Sequence, residues 1–135
     1  MTNTILNATQ HDATADQQTA GVTNLPPAIA AAVRNNLTVD SIPTHNEIVR
    51  RCTAIALLLE QHNYDNGVPN FGQRVMIGGA PWMMSFLEAE LWSRGFTPVY
   101  AFSVRASEEV VDPTTGIVRK TNVFKHVGFV EARKP

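Results

Sequence analysis

The chain has 135 residues, a formal net charge of −1 and a single cysteine, Cys52. That length fits one domain, 1–135, with a core large enough to fold unaided, while one cysteine excludes an internal disulfide framework. The near-neutral charge excludes a whole-protein pull toward long nucleic acid, and no apolar run is long enough to span a bilayer, so no membrane partner is expected. No positively charged, apolar leader precedes the first strand, and the expected compartment is a reducing cytoplasm. From Thr97 onward six Lys/Arg stand against four acids, a mildly basic C-terminal third.

In chain order, "TILNATQH" predicts a short strand over 4–8 running into a polar loop. Within that loop Thr14-Ala-Asp-Gln17 has the spacing of a capping box and predicts a short helix at 14–20. "VTNLP" reads as a second extended segment, and Pro26-Pro27 opens a modest helix through "AIAAAVRNN". Pro43 forbids a helix through the next connection, leaving Thr44 or Asn46 as a cap. "NEIVRRCTAIALLLEQHN" is the strongest helical pattern, with Ile48, Cys52, Ile55, Leu59 and His62 on one face. "QRVMI" predicts a buried strand, "GGAP" a turn, and the segment from Pro81 to Gly95 a helix whose inner face carries Met83, Leu87 and Leu91. "TPVYAFSVR" is a further strand, followed by two antiparallel strands around Asp-Pro-Thr-Thr-Gly. Strands alternating with helices imply an α/β fold: a small Rossmann-like three-layer sandwich, with a mostly parallel sheet and a C-terminal antiparallel hairpin.

In such sheets ligands bind beyond the carboxyl ends of the parallel strands, near helix N-termini. The loops "ATQHDAT", "GGAP" and "SVRASEE" are expected there. Gly78-Gly79 is either a tight strand-to-helix turn or a floor on which a phosphate or base rests, with Gly79, Ala80 and Trp82 as candidate amide donors. It is not G-x-G-x-x-G, and without a P-loop Lys it indicates neither a dinucleotide nor an NTP. His11 is a loop residue hydrogen-bonded to its own turn, or a donor or acid/base at a phosphate. Thr14 is a helix cap and, on a ligand-facing helix, also a contact.

Ser103 and Arg105, two apart on a strand, share a side and could clamp an anion. The competing reading pairs Arg105 with Glu108 or Glu109 on a solvated hairpin. Lys125 and His126 point to opposite faces and cannot line one pocket without a bulge. Cys52 reads as core, and His11, His45, His62 and His126 show no metal-ligand spacing, so no metal or cofactor is expected. Trp82, Trp92, Phe71 and Tyr64 read as core or interface residues before base-stacking platforms.

Together, "NATQHDATADQ" at the front and "GGAPWMMSFLEAELWSRGFTPVYAFSVRASEEVVDPTTGIVRKTNVFKHVGFVEA" at the back resemble small standalone CRISPR-associated proteins of the Rossmann-like, CARF-related, ring-nuclease type. The middle, from Pro26 to Phe71, carries none of the likeness. The resemblance implies binding of a cyclic oligoadenylate second messenger in antiviral defence and, in some relatives, its metal-independent cleavage by a ribose 2′-OH. It implies that His11, Arg105 and Ser103 do the chemistry, and that Thr14, Gln17, Gly78, Gly79, Ala80, Glu108 and Lys125 hold the ligand. A cyclic, symmetric ligand also implies a homodimer. Two other functions fit the same loops: a non-catalytic accessory or sequestering protein of a phage or mobile element, and an enzyme acting on another small phosphorylated ligand.

Overall fold

The computed structural model of the chain describes residues 4–135. Its elements are β1 (Ile5–Asn7), α1 (Ala15–Thr19), β2 (Val22–Asn24), α2 (Pro27–Leu37), α3 (His45–Asp65), β3 (Arg74–Met76), α4 (Pro81–Ser93), β4 (Thr97–Val111) and β5 (Val118–Glu131). One sheet takes the order β2-β1-β3-β4-β5. Its first three pairings are parallel and the last is antiparallel, as the alternation of element types predicts.

Strand period sorts the core. Neighbours Ile5 and Leu6 enter opposite faces of the sheet, as do Met76 and Val75. On one face α2, α3 and α4 bury Val33, Cys52, Ile55, Leu59, Met83, Leu87 and Leu91 against Leu6, Val75 and Phe96. A fully buried Leu or Ile contributes about 2 kcal/mol, which makes this face the main source of stability. The other face is thinner: Ile5, Ala13, Val22, Met76 and Val99 form a small cluster, with Phe129 of β5 packed on it. The third layer is α1 and its preceding loop, and α1 itself buries no residue. In the last turn of α3 the buried residue is Asn63, not His62, which is only half-buried.

Thr44 caps α3 through its hydroxyl, which accepts from Glu47 N at 3.1 Å. The segment expected as a separate strand, "TPVYAFSVR", continues without interruption into the first arm of the hairpin. No Gly or Pro lies between Val99 and Asp112 to break it, and Tyr100, Phe102, Val104, Val110 and Val111 favour extended chain. The turn falls at Asp112, whose carboxylate accepts from the N–H groups of Thr114 at 2.8 Å and Thr115 at 3.4 Å. These amides hold the Asp112 carboxyl below its ordinary pKa.

The order β2-β1-β3 sets where a ligand can enter. From β1 the chain winds first to β2 on one side, then crosses to β3 on the other. The carboxyl ends of β1 and β3 therefore flank a topological switch point, where diverging connections leave a crevice.

Candidate functional site

A crevice of about 600 Å³ opens at this switch point. It is lined by the loop after β1 (Thr9, Gln10, His11 and Asp12), by Thr14 and Gln17 of α1, by Met76 through Gly79, and by Tyr100 and Ala101 of β4. Five of the sequence candidates meet here: His11, Thr14, Gln17, Gly78 and Gly79. A larger hollow of about 680 Å³ lies between α2 and α3, but its wall is mainly apolar, with Ala32, Ala54, Leu57, Leu58 and Tyr64 beside Asn36, Glu60 and Gln61. The switch-point crevice is the better candidate on chemistry.

The β1 loop is held from beneath by Asn7, a buried polar residue that sequence reasoning passed over. Its amide donates to His11 O and Asn24 Oδ1, both at 2.8 Å. Its carbonyl accepts from Thr9 N at 3.0 Å and Thr9 Oγ1 at 2.7 Å. Asn24 Oδ1 also receives Ala13 N at 2.9 Å, so two asparagines on neighbouring strands fix both ends of the loop. From outside, Asp12 pairs with Arg34 at 2.6 Å and Gln10 Nε2 donates to Leu37 O at 3.3 Å. The ion pair is exposed and is worth less than about 1 kcal/mol in stability. The main chain at His11 is thus fixed while its imidazole is exposed and makes no hydrogen bond among the described residues.

Thr14 and Gln17 form the expected capping box: Thr14 Oγ1 accepts from Gln17 N at 3.2 Å and Gln17 Oε1 accepts from Thr14 N at 3.0 Å. The Gln17 amide N–H₂ group and the Thr14 hydroxyl proton remain for a ligand.

Across the crevice, the N–H groups of Gly78 and Gly79 make no hydrogen bond among the described residues. Gly79 has φ +155°, a conformation side chains disfavour, and a Cβ there would meet Met84 Cε at 3.3 Å. Gly78 is different: a Cβ would meet only Thr9 Cγ2 at 3.9 Å, an ordinary contact. The turn requires one glycine, and the second keeps the crevice wall bare. Ala80 stands just outside the lining as the cap of α4. Its carbonyl accepts from Met83 N and Met84 N, both at 3.0 Å, and no side-chain hydrogen bond caps that helix end among the described residues.

Tyr100, also unanticipated, forms a wall of the crevice and donates its hydroxyl to Glu88 of α4. Burial, reinforced by Glu88, pushes its pKa far above the ordinary tyrosine value, so the phenol stays neutral.

Four candidates lie elsewhere. Ser103 and Arg105 sit on β4 beyond the crevice, opposite His126 and Phe124, and the Arg105 guanidinium lies 5.6 Å from the Phe124 ring centre. Glu108 and Lys125 line a second hollow of about 540 Å³ with Asp16, Thr19, Val123, Phe124 and His126. Their charged ends are 3.9 Å apart, so the acid that faces Arg105 in the competing reading is turned instead toward Lys125. Lys125 and His126 both line this hollow although no irregularity separates them: they pair regularly with Val104 and Ser103, and the register shift at Phe102/Ser103 falls beyond His126, at Val127. The helix α1 separates the two cavities, presenting Thr14 and Gln17 to one and Asp16 and Thr19 to the other. Of the aromatics read as core or interface, Tyr64 and Phe71 are largely exposed and Trp82 is half exposed, and none of them lines the crevice.

Among the described residues no cluster of three or more His, Cys, Asp or Glu could hold a metal ion, and no helix is long and apolar enough to cross a membrane.

Fold and crevice together define an α/β protein of Rossmann-like build with a ligand-sized opening at its switch point. Residues 3–130 match the Uncharacterized protein MJ1673 family, and the chain belongs to it. No curated protein and no solved structure matches the chain significantly.

Proposed function

We infer that the chain binds a phosphodiester-linked nucleotide of the cyclic oligoadenylate class in the switch-point crevice. The observation that carries this reading is the convergence of unpaired donors from three segments on one opening: Gly78 and Gly79 N–H, the Thr14 and Gln17 side chains, and the His11 ring. Backbone amides at a bare glycine turn suit phosphoryl oxygens, and the Tyr100 ring offers a flat apolar wall to a base. The protein acts on this reading as a two-fold homodimer in the cytoplasm, in keeping with a symmetric ligand and a single buried thiol.

His11 favours a second step. Metal-independent cleavage needs a ribose 2′-OH in line with phosphorus, a group to move its proton, and donors for the phosphoryl oxygens. His11 would take the 2′-OH proton, or protonate the departing 5′-oxygen as the P–O5′ bond breaks to leave a 2′,3′-cyclic phosphate, and the glycine amides would stabilise the phosphoryl charge. Arg105 and Ser103 do not line the crevice.

Titration calorimetry with cyclic tetra-adenylate, without metal, tests the binding, and chromatography of the same mixture tests for linear product. The expected result is saturable binding, weakened at least tenfold in His11→Ala. Binding without product leaves a receptor or sequestering protein. No binding of the ring, with binding of a nucleoside monophosphate or sugar phosphate in its place, would transfer the site to another phosphorylated ligand.

A further inference from the structure

Beyond Ala101 the hairpin runs past the end of β3, with α1 beside it across the hollow that Asp16 and Thr19 share with Glu108 and Val123 to His126. β3 pairs with β4 only over Thr97–Val99, while β5 covers the other edge of β4 as far as Val111. The β3-side edge of β4 past Ala101 therefore has no strand beside it among the described residues. Two-stranded ribbons are marginal alone, and an open edge is a template for another strand. Nine of the fifteen exposed large hydrophobics also lie on this hairpin, including Phe102, Val104, Val110 and Val111 on β4.

We propose that this edge pairs with the same edge of a second copy, antiparallel, about a two-fold axis at Ser107. This deepens the homodimer of the nucleotide reading but stands on the strand alone and needs no ligand. The register follows from charge and face. A two-fold axis normal to the ribbon matches side-chain faces only when centred on one residue. Centred on Ser107, Arg105 faces the partner's Glu109 and Glu109 the partner's Arg105, while Val104 meets the partner's Val110. Centring on Arg105 or on Glu109 opposes like charges, and centring on Ala106 or Glu108 puts Arg105 against Ser107 or Val111. Arg105 and Glu109 are exposed and make no ion pair within the chain among the described residues, so both are available. The outer edge of β5 suits this role less: it carries Arg119, Lys120 and Lys125 against one acid, Glu131, and two copies would repel. The pairing brings the partner's turn, Asp112 to Ile117, past Phe102 toward Tyr100 and Ala101, at the mouth of the crevice.

Sedimentation velocity of the full chain at low salt tests the proposal. Wild type is expected at twice the 14.8 kDa chain mass. Arg105→Glu or Glu109→Arg alone weakens the dimer roughly tenfold or more, and the double exchange restores it. Separately, Ser107→Cys should cross-link to its symmetry mate on mild oxidation, and Thr121→Cys on the far strand should not. A wild-type monomer across the micromolar range overturns the proposal. So does a dimer that survives both single reversals, or one that cross-links through Thr121→Cys and not through Ser107→Cys. Each of these readings is independent of whether any nucleotide binds.

Discussion

Adjacent glycines in one turn offer a test in which fold and function separate. Alanine at Gly79 must adopt φ +155° and push Met84 Cε back from 3.3 Å. Backbone strain of this kind costs about 2 kcal/mol. At this chain length that lowers Tm by about 6–8 °C. Alanine at Gly78 meets nothing closer than Thr9 Cγ2 at 3.9 Å, so its stability should stay within about 0.5 kcal/mol of wild type. Yet that methyl group stands on the crevice wall, between the backbone and any phosphate resting on it. It should weaken nucleotide binding tenfold or more, about 1.4 kcal/mol. Thermal unfolding followed by circular dichroism, with calorimetry on the same samples, measures both effects. Equal destabilisation by the two substitutions would refute the backbone argument, and a stable Gly78→Ala protein with unchanged affinity would refute the glycine floor.

Other expectations concern the supports of the site and the core. Asn7→Ala removes four hydrogen bonds and should cost about 3 kcal/mol. Hydrogen exchange should quicken at Thr9 and Ala13, whose amides are held by Asn7 and Asn24, and unchanged protection there would mean the loop is held otherwise. Leu87→Ala, at a fully buried position of α4, should cost about 2–5 kcal/mol in urea unfolding. Burial, with Glu90 adding, pushes the Cys52 thiol up to about 11 from an ordinary value of 9.0. A folded-state pKa above the unfolded one gives stability that is complete below pH 9 and lost as pH rises toward 11, roughly 3 kcal/mol in all. Cys52→Ala should flatten that slope, and an equal decline in the variant would show that other groups cause it.

Much of the architecture was legible because its signals are local. Periodicity marked α3 and α4, Pro81 and Gly95 bracketed the latter, and Thr14-x-x-Gln17 specified a capping box that forms as read. The five candidates that converge do so because they follow β1 and β3, whose shared edge is a consequence of βαβ handedness. What escaped was distance along a strand. Side-chain alternation told which face Ser103 and Arg105 share, but not that β4 runs unbroken to Val111, carrying Arg105 four residues, roughly 13 Å, past Ala101. Asn7 escaped for the opposite reason. A polar residue at the end of a three-residue strand looks like the start of a loop, and only the pairing with Asn24 on β2 shows that it is buried and saturated.

The division of charge between crevice and ribbon bears on how any phosphate is held. Asp12 is countered by Arg34, and among the described residues that line the crevice His11 is the only basic one. The remaining donors are neutral: two glycine amides, a hydroxyl and a carboxamide. An anion held by such groups in a partly enclosed site depends on dipoles fixed in place and little on mobile counterions, whereas Arg105 and Lys125 would hold it as exposed point charges. Raising salt should therefore barely move the affinity of a ligand bound at Gly78-Gly79, while a steep loss would place the ligand on the ribbon.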